Sequence, residues 1–309
     1  MTSCVCFNEV YPVGQCRLIL HMPPTNPWRL ILHPPQSATV NMAVDAAIAR
    51  AFGAGRIPPT LRLYSWSHPS FSIGRFQKLD ANLVAQLHHH DISIVRRITG
   101  GRGVLHDREL TYSIVASTQD EHFVGGLRGT FGAIAQGLRA GLKTLGVAAE
   151  IHRSRASGRR RSHGPFCFDH VSGDEITVGG RKLLGSAQRR WVGHFLQHGS
   201  LVLLRGAHAQ RLSAPCPAAL QDLVPSQVSL AEIQTALINA MAETLSVQFK
   251  AGALTVEEVA DADRLALSFQ AAGTTIQRRI TGLPSRSAIS NFSAAAATFP
   301  PASSLTILK

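Results

Sequence analysis

Three glycines in four positions, flanked by arginines and followed by a histidine, mark Arg96-Arg97-Ile98-Thr99-Gly100-Gly101-Arg102-Gly103-Val104-Leu105-His106-Asp107 as a segment suited to chemistry. Glycine has no Cβ and tolerates positive φ, so such a loop presses bare N–H groups against a ligand. Arginines and a histidine beside those amides suit an oxyanion, a carbonyl or a phosphate. Alone, a glycine-rich turn is also an ordinary strand connection. A second segment adds weight: Gly164-Pro165-Phe166-Cys167-Phe168, then Gly180-Arg181-Lys182-Leu183-Leu184-Gly185-Ser186-Ala187-Gln188-Arg189-Arg190. A cysteine attacks as its thiolate, and a nearby ammonium favours that form. Taken by itself, Cys167 between two phenylalanines reads as a buried cysteine in an aromatic strand.

The surrounding pattern supplies elements to hold these residues. Asn41 to about Arg56 is alanine-rich, with Met42, Ala46, Ala49 and Phe52 at helical spacing and Gly53 and Gly55 closing it. Leu61 to Trp66 and Ser70 to Ile73 read as strands split by His68-Pro69, and Asp80 caps a helix running to about His90. Ile92 to Arg97 and Leu110 to Ala116 are strands flanking the glycine loop. Ile134, Leu138 and Leu142, spaced by four, predict a helix from Thr130 to Leu145 with Gly146 as its stop. Gly179-Gly180 between Glu175–Val178 and Arg181–Leu184 predicts a hairpin with Lys182 just past the turn. His194 to Leu204 gives a further strand. Ser229 with Glu232, and Thr255 with Glu258, form capping-box patterns. Residues 1–26 read as a poorly ordered extension, and 273–309 as a low-complexity tail ending past Pro300-Pro301. Between them, 27–272 predict one α+β domain, a mixed or antiparallel sheet flanked by helices.

Lysine and arginine outnumber aspartate and glutamate 31 to 19, a formal charge of +12, which raises the prospect of an acidic partner. Part of the excess sits in Arg153, Arg155, Arg159, Arg160 and Arg161, a solvated loop or a docking patch for an acidic carrier protein. No aromatic interleaves with that run, which argues against nucleic-acid binding. No stretch approaches 18 uninterrupted apolar residues and no secretory pattern opens the chain, so a soluble cytoplasmic protein off the membrane is expected. The cysteines at 4, 6, 16, 167 and 216 form no regular framework, which predicts free thiols. Cys4, Cys6 and Cys16 lack a fourth ligand at suitable spacing. His88-His89-His90 point three ways and read as solvent-facing, so no metal is expected.

Taken together, the two site segments resemble the lipoate/biotin protein ligase superfamily and, within it, the cysteine-type octanoyltransferases. The resembling pieces are Asn41-Met42-Ala43-Val44-Asp45, Leu61-Arg62-Leu63-Tyr64-Ser65-Trp66, Ser72-Ile73-Gly74-Arg75-Phe76-Gln77, the arginine–glycine loop with Leu110-Thr111-Tyr112-Ser113, and the Cys-Phe pair. The Gly-Arg-Lys run and Leu196-Gln197-His198-Gly199-Ser200 complete the order, from about Pro27 to about Leu204. The resemblance implies a biotin/lipoate ligase-type catalytic domain in which Cys167 carries the acyl group and Lys182 activates it. Arg97, Thr99, Gly100, Gly101, Arg102, His106, Gly185 and Ser186 are then expected at the substrate. Amides of Gly100 and Gly101 would hold the oxyanion, a role worth roughly 3–4 kcal/mol per donor. Arg97 reads equally as a loop anchor, His106-Asp107 as a pin or as a general base with its orienting group, and His198 as a structural hydrogen-bonder.

The activity implied is transfer of octanoyl from octanoyl-acyl carrier protein, through a cysteine thioester, to a lysine of lipoyl domains or glycine-cleavage H protein. Neither ATP nor a cofactor is called for, and a monomer is expected. The rivals are an ATP-dependent lipoate–protein ligase and an octanoyl amidotransferase working between H protein and lipoyl domains. Against the ligase stand Cys167 itself, Arg102 where such ligases are expected to carry glycine, and the lack of an obvious accessory domain. The C-terminus departs from the family: a low-complexity stretch follows Thr274-Thr275-Ile276-Gln277-Arg278-Arg279 where an aromatic and charged segment is expected.

Overall fold

Strands that are apolar on both faces must be covered on both faces, and that requirement sets the architecture. The computed structural model describes residues 27–152, 164–169, 173–212, 214 and 217–281, the side chains of Asp169 and of 271–281 aside. The first half contains β1 (Trp28–Leu32), α1 (Ala38–Gly53), β2 (Thr60–Tyr64), β3 (Ser70–Ile73), α2 (Ala81–His89), β4 (Ser93–Arg96), β5 (Val104–His106) and β6 (Glu109–Ser117). There follow α3 (Gly126–Thr144), β7 (Glu150–His152), β8 (Glu175–Val178), β9 (Arg181–Arg190) and β10 (His194–Val202). The last elements are α4 (Ala207–Arg211), α5 (Leu230–Thr244), β11 (Phe249–Ala251) and α6 (Val256–Thr281).

Among the described residues, eight strands form a mixed sheet in the order β11-β1-β2-β6-β10-β9-β8-β7. There β1 runs parallel to β11 and β2, while the pairs from β2 to β7 are antiparallel. A small sheet, β4-β3-β5, stands beside it. This is the α+β class, a mixed sheet flanked by helices. Alternation along β6 sends Ile114 and Ala116 into the cluster with Ile134 and Leu138 of α3 and Leu237 and Met241 of α5. It sends Val115 to the opposite cluster, with Val44, Ala47 and Ile48 of α1 and Ala262 of α6. The alanines of α1 keep that helix slim, so both α6 and the sheet pack against it.

Several elements match the sequence reading closely. Asp80 caps α2 by accepting from the Leu83 amide, the β8–β9 hairpin turns at Gly179-Gly180, and both capping boxes form. Others differ for physical reasons. Ser37 caps α1, which therefore starts at Ala38, three residues ahead of Asn41. Glycines hide the first turn of α3, which opens at Gly126, not Thr130. Although the apolar period fades at Gly273, α6 continues to Thr281, because Ala271, Ala272, Gln277, Arg278 and Arg279 are good helix formers. Residues 1–26 and the arginine run from Arg153 to Arg161 lie outside the described residues. None of the described helices is long and apolar enough to cross a membrane.

Candidate active site

Between the two sheets lies an open cleft, and most of the residues singled out from the sequence meet there. Met42, Tyr64, Trp66, Val104 and Ala187 line it with apolar surface, and Gly101, Gly185 and Gly199 keep it wide. Cys167, Arg97, His106, Ser72, Ser186 and His198 bring polar groups to the same space.

The glycine loop and the cysteine segment are stitched together by backbone. Gly103 N–H donates to Pro165 O at 2.9 Å, and Cys167 N–H donates to Gly103 O at 2.7 Å. A side chain at 103 would strike Phe71, whose ring packs edge-on against Phe166. Cys167 therefore sits on a 3-10 turn, Cys167–Asp169, and not in an aromatic strand; the phenylalanine before it is buried while the cysteine is half-exposed. The other four cysteines lie outside the described residues.

Lys182 reaches this sulfur from β9. The turn glycines have φ of 55° and 74°, a primed turn that pairs Val178 with Arg181 and Thr177 with Lys182. A bulge at Ile176/Thr177 twists the ladder there. Lys182 is only 3% exposed, and its Nζ donates to Cys167 Sγ at 3.2 Å and to Cys167 O at 3.1 Å. It also donates to Glu175 Oε1, 2.5 Å away and buried as well. The Phe168 ring sits 5.0 Å from the ammonium. Gly185 supplies the room, since a Cβ there would lie 2.5 Å from Lys182 Cε and 3.7 Å from the sulfur.

Arg97 is an anchor. Its guanidinium is buried and donates to the carbonyls of Ser72, Gly100 and Arg102 at 2.7–2.8 Å, and through Nε to Thr99 at 3.2 Å. Arg97 thus fixes the loop while lining the cleft. Burial pulls this guanidinium down to about 10, opposed by negative charge on the nearby Cys167 sulfur. Gly100 and Arg102 enter this arrangement through their carbonyls. Thr99 is fully buried behind the loop, 2.7 Å from His198 Nε2, and His198 Nδ1 lies 3.1 Å from Asp45. Burial lowers His198 despite the Asp45 contact, so the ring is neutral: Nδ1–H donates to the carboxylate and Nε2 accepts from Thr99. Burial works to raise Asp45, but bonds from His198, Arg62 and Tyr64 outweigh it and hold the carboxyl below its ordinary range.

His106 does not pair with Asp107. Asp107 lies in the tight turn between β5 and β6 and meets His208 of α4 at 3.0 Å. The partners of His106 are Glu109 across that turn and Ser72 at 2.7 Å, and Trp66 stacks on its ring at 3.6 Å. His106 is pinned. Ser186 is held by Tyr112 at 2.8 Å, whose hydroxyl burial pushes up to about 12. The histidine run also departs from expectation: His89 is exposed, but His88 and His90 are half-buried, and His88 Nε2 is fully enclosed. Among the described residues, no group of three His, Cys, Asp or Glu side chains is placed to hold a metal.

The sequence reading missed Glu175, Glu109, Ser72 and Trp66. One signal pointed to Glu175: an acid in the apolar strand Glu175-Ile176-Thr177-Val178, on the face that pairs with Lys182 once the two-residue turn is counted back.

Residues 37–242 match the family model for the lipoyl protein ligase A/B catalytic domain. The chain belongs to this family. Its relatives include octanoyltransferase LipM of Moorella thermoacetica, 38% identical over 81% of this chain and 97% of that one. Octanoyltransferase LipM of Kyrpidia tusciae is 38% identical over 79% of this chain and 96% of the relative. Among solved structures, a T. acidophilum protein described as a lipoate protein ligase, with bound lipoic acid, superposes with TM-score 0.65 and 26% identity, covering 79% of this chain and 96% of that one. Lipoate-protein ligase A bound with ATP gives TM-score 0.63 at 25% identity, covering 78% and 94%. Within the lipoyl protein ligase A/B catalytic domain as matched here, the span contains Cys167, Lys182 and the glycine loop, whereas α6 lies beyond it.

Proposed function

We propose that the chain takes octanoyl from octanoyl-acyl carrier protein onto Cys167 and delivers it to a lysine of a lipoyl domain or H protein. The chain is an acyltransferase: relatives named octanoyltransferase align over nearly their full length. The contact that carries the thioester route is the Lys182 ammonium 3.2 Å from the Cys167 sulfur, at the edge of the cleft.

In the first step Cys167 sulfur attacks the thioester carbon, an S–C bond to the enzyme forms, the S–C bond to the carrier breaks, and the carrier leaves as its thiol. In the second, the acceptor lysine attacks the enzyme thioester, an amide forms, and the amine's proton goes to the departing Cys167 sulfur. Lys182 Nζ and the amides near Gly101 are the groups that would meet the oxyanion, which cleft donors stabilise more than water does. Thioester exchange is nearly isoenergetic and amide formation runs downhill, so the route needs no ATP. The reducing cytoplasm suits a free thiol nucleophile.

The test is transfer from octanoyl carrier protein in the presence of an ATP-depleting enzyme, where an unchanged rate is expected. Strict dependence on ATP with free octanoate would assign the chain to the ligase chemistry instead. Preference for octanoyl-H protein as donor would make it an amidotransferase.

A further inference from the structure

The side chain that serves Cys167 is a lysine, the same amine the acyl group is meant to reach elsewhere. Its Nζ is 3.2 Å from the sulfur that would carry octanoyl. A neutral amine at that distance attacks a thioester and keeps the acyl group as an amide. Lys182 is buried, so the side chains in contact with it, rather than water, surround its nitrogen. A carboxylate in contact favours the ammonium, which has no lone pair to attack with. Glu175 Oε1 stands 2.5 Å from Nζ and is buried with it. Two other charged groups described near the pair do not do this work. Arg97, the buried cation on the sulfur's side, disfavours a second positive charge, and His152, opposite Glu175 on β7, is exposed.

If Lys182 served only to hold charge on the sulfur, a carboxylate in contact with it would weaken that effect. We propose that Glu175 keeps Lys182 protonated and thereby stops it from taking octanoyl off Cys167. This rests on the acyl-enzyme reading above. The step prevented is a transfer within the site: a bond forms from Nζ to the acyl carbon, the Cys167 S–C bond breaks, and the amine's proton passes to sulfur. The product is an enzyme with a free thiol and a dead lysine. Glu175 is a positioning residue in this account, acting through the charge of Lys182.

The experiment incubates wild type, Glu175→Gln and Glu175→Asp with octanoyl carrier protein and no acceptor, treats each with hydroxylamine, and maps the remaining label by peptide mass. Thioester label is lost and amide label stays. Glu175→Gln is expected to hold at least tenfold more resistant octanoyl on Lys182 than wild type, with transfer activity falling as the label accumulates. Glu175→Asp, one methylene short, is expected to fall between. Label in Glu175→Gln as labile as that of wild type overturns the proposal. If Glu175→Gln takes up no label, Glu175→Asp decides by the same criterion. A wild type that never takes labile label overturns the acyl-enzyme reading and the proposal together, whereas labile label in all three proteins overturns the proposal alone.

Discussion

In the proposed route Lys182, in contact with the cysteine sulfur, stands in for an imidazole partner, and both histidines of this cleft are engaged elsewhere. His106 is held by Glu109 and Ser72, and His198 by Asp45 and Thr99, so neither has a ring nitrogen left for the thiol. What lets Lys182 approach is the bare backbone of Gly185. A Cβ at that position would come within 2.5 Å of Lys182 Cε and 2.9 Å of Nζ. The ammonium would have to leave either the sulfur or Glu175. Gly185→Ala is therefore expected to lower acyl transfer about a hundredfold, the typical cost of moving a reacting group by one ångström. Its destabilisation should stay within about 1–3 kcal/mol, as for other overpacked sites. Transfer rates beside a denaturant melt check this, and a fully active Gly185→Ala would show that Lys182 has slack.

At the scale of elements, the loop after β3 and the glycine loop after β4 are pressed together, backbone to backbone. A Cβ on Gly74 would fall 1.9 Å from the Gly101 carbonyl oxygen, and Arg96 ties the carbonyls of Gly74 and Gln77 from below. Gly74→Ala must therefore push the Gly101 loop into the cleft. The expected outcome is more than tenfold slower acylation of Cys167 with a loss of about 1–3 kcal/mol in stability; unchanged acylation would show that the loop is not held by this contact. The elements themselves were largely legible from sequence, because caps and turns act locally: Asp80, Gly179-Gly180 and Ser229 each announce a boundary through their own hydrogen bonds or φ. Partner choice was less legible. His106 and Asp107 are neighbours in sequence, yet a tight turn sends one inward to Glu109 and the other outward to His208. Glu175 became visible as a partner of Lys182 only once hairpin register was counted, and the Trp66 stack on His106 depends on two sheets meeting.

Across the whole molecule, one buried charge network fastens the helical layer to the sheet beneath the cleft. Asp45 of α1 accepts from Arg62 at 2.7 Å and Tyr64 at 2.8 Å on β2, and from Ser113 of β6 at 2.8 Å, while His198 of β10 meets it from the next strand. Arg62 also donates to His33, which burial, helped by that guanidinium, lowers to about 4. His33 is thus neutral in the folded protein well below the pH at which an unfolded histidine, near ~6.5, takes up its proton, and burial shifts His198 in the same direction. Below that value the unfolded chain binds more protons, so stability falls as pH drops from about 6.5 toward 4. Thermal melts should show this decline, and His33→Gln should make it shallower; an equally steep decline would mean that His33 protonates without penalty. In the proposed route, the network and the fold serve to present one sulfur. The most direct measurement is intact mass after mixing the protein with octanoyl-acyl carrier protein. Wild type should gain one octanoyl group that hydroxylamine removes, and Cys167→Ala should gain none and transfer none. Transfer by Cys167→Ala above a few per cent of wild type would contradict the account and hand the chemistry to a route that does not pass through Cys167.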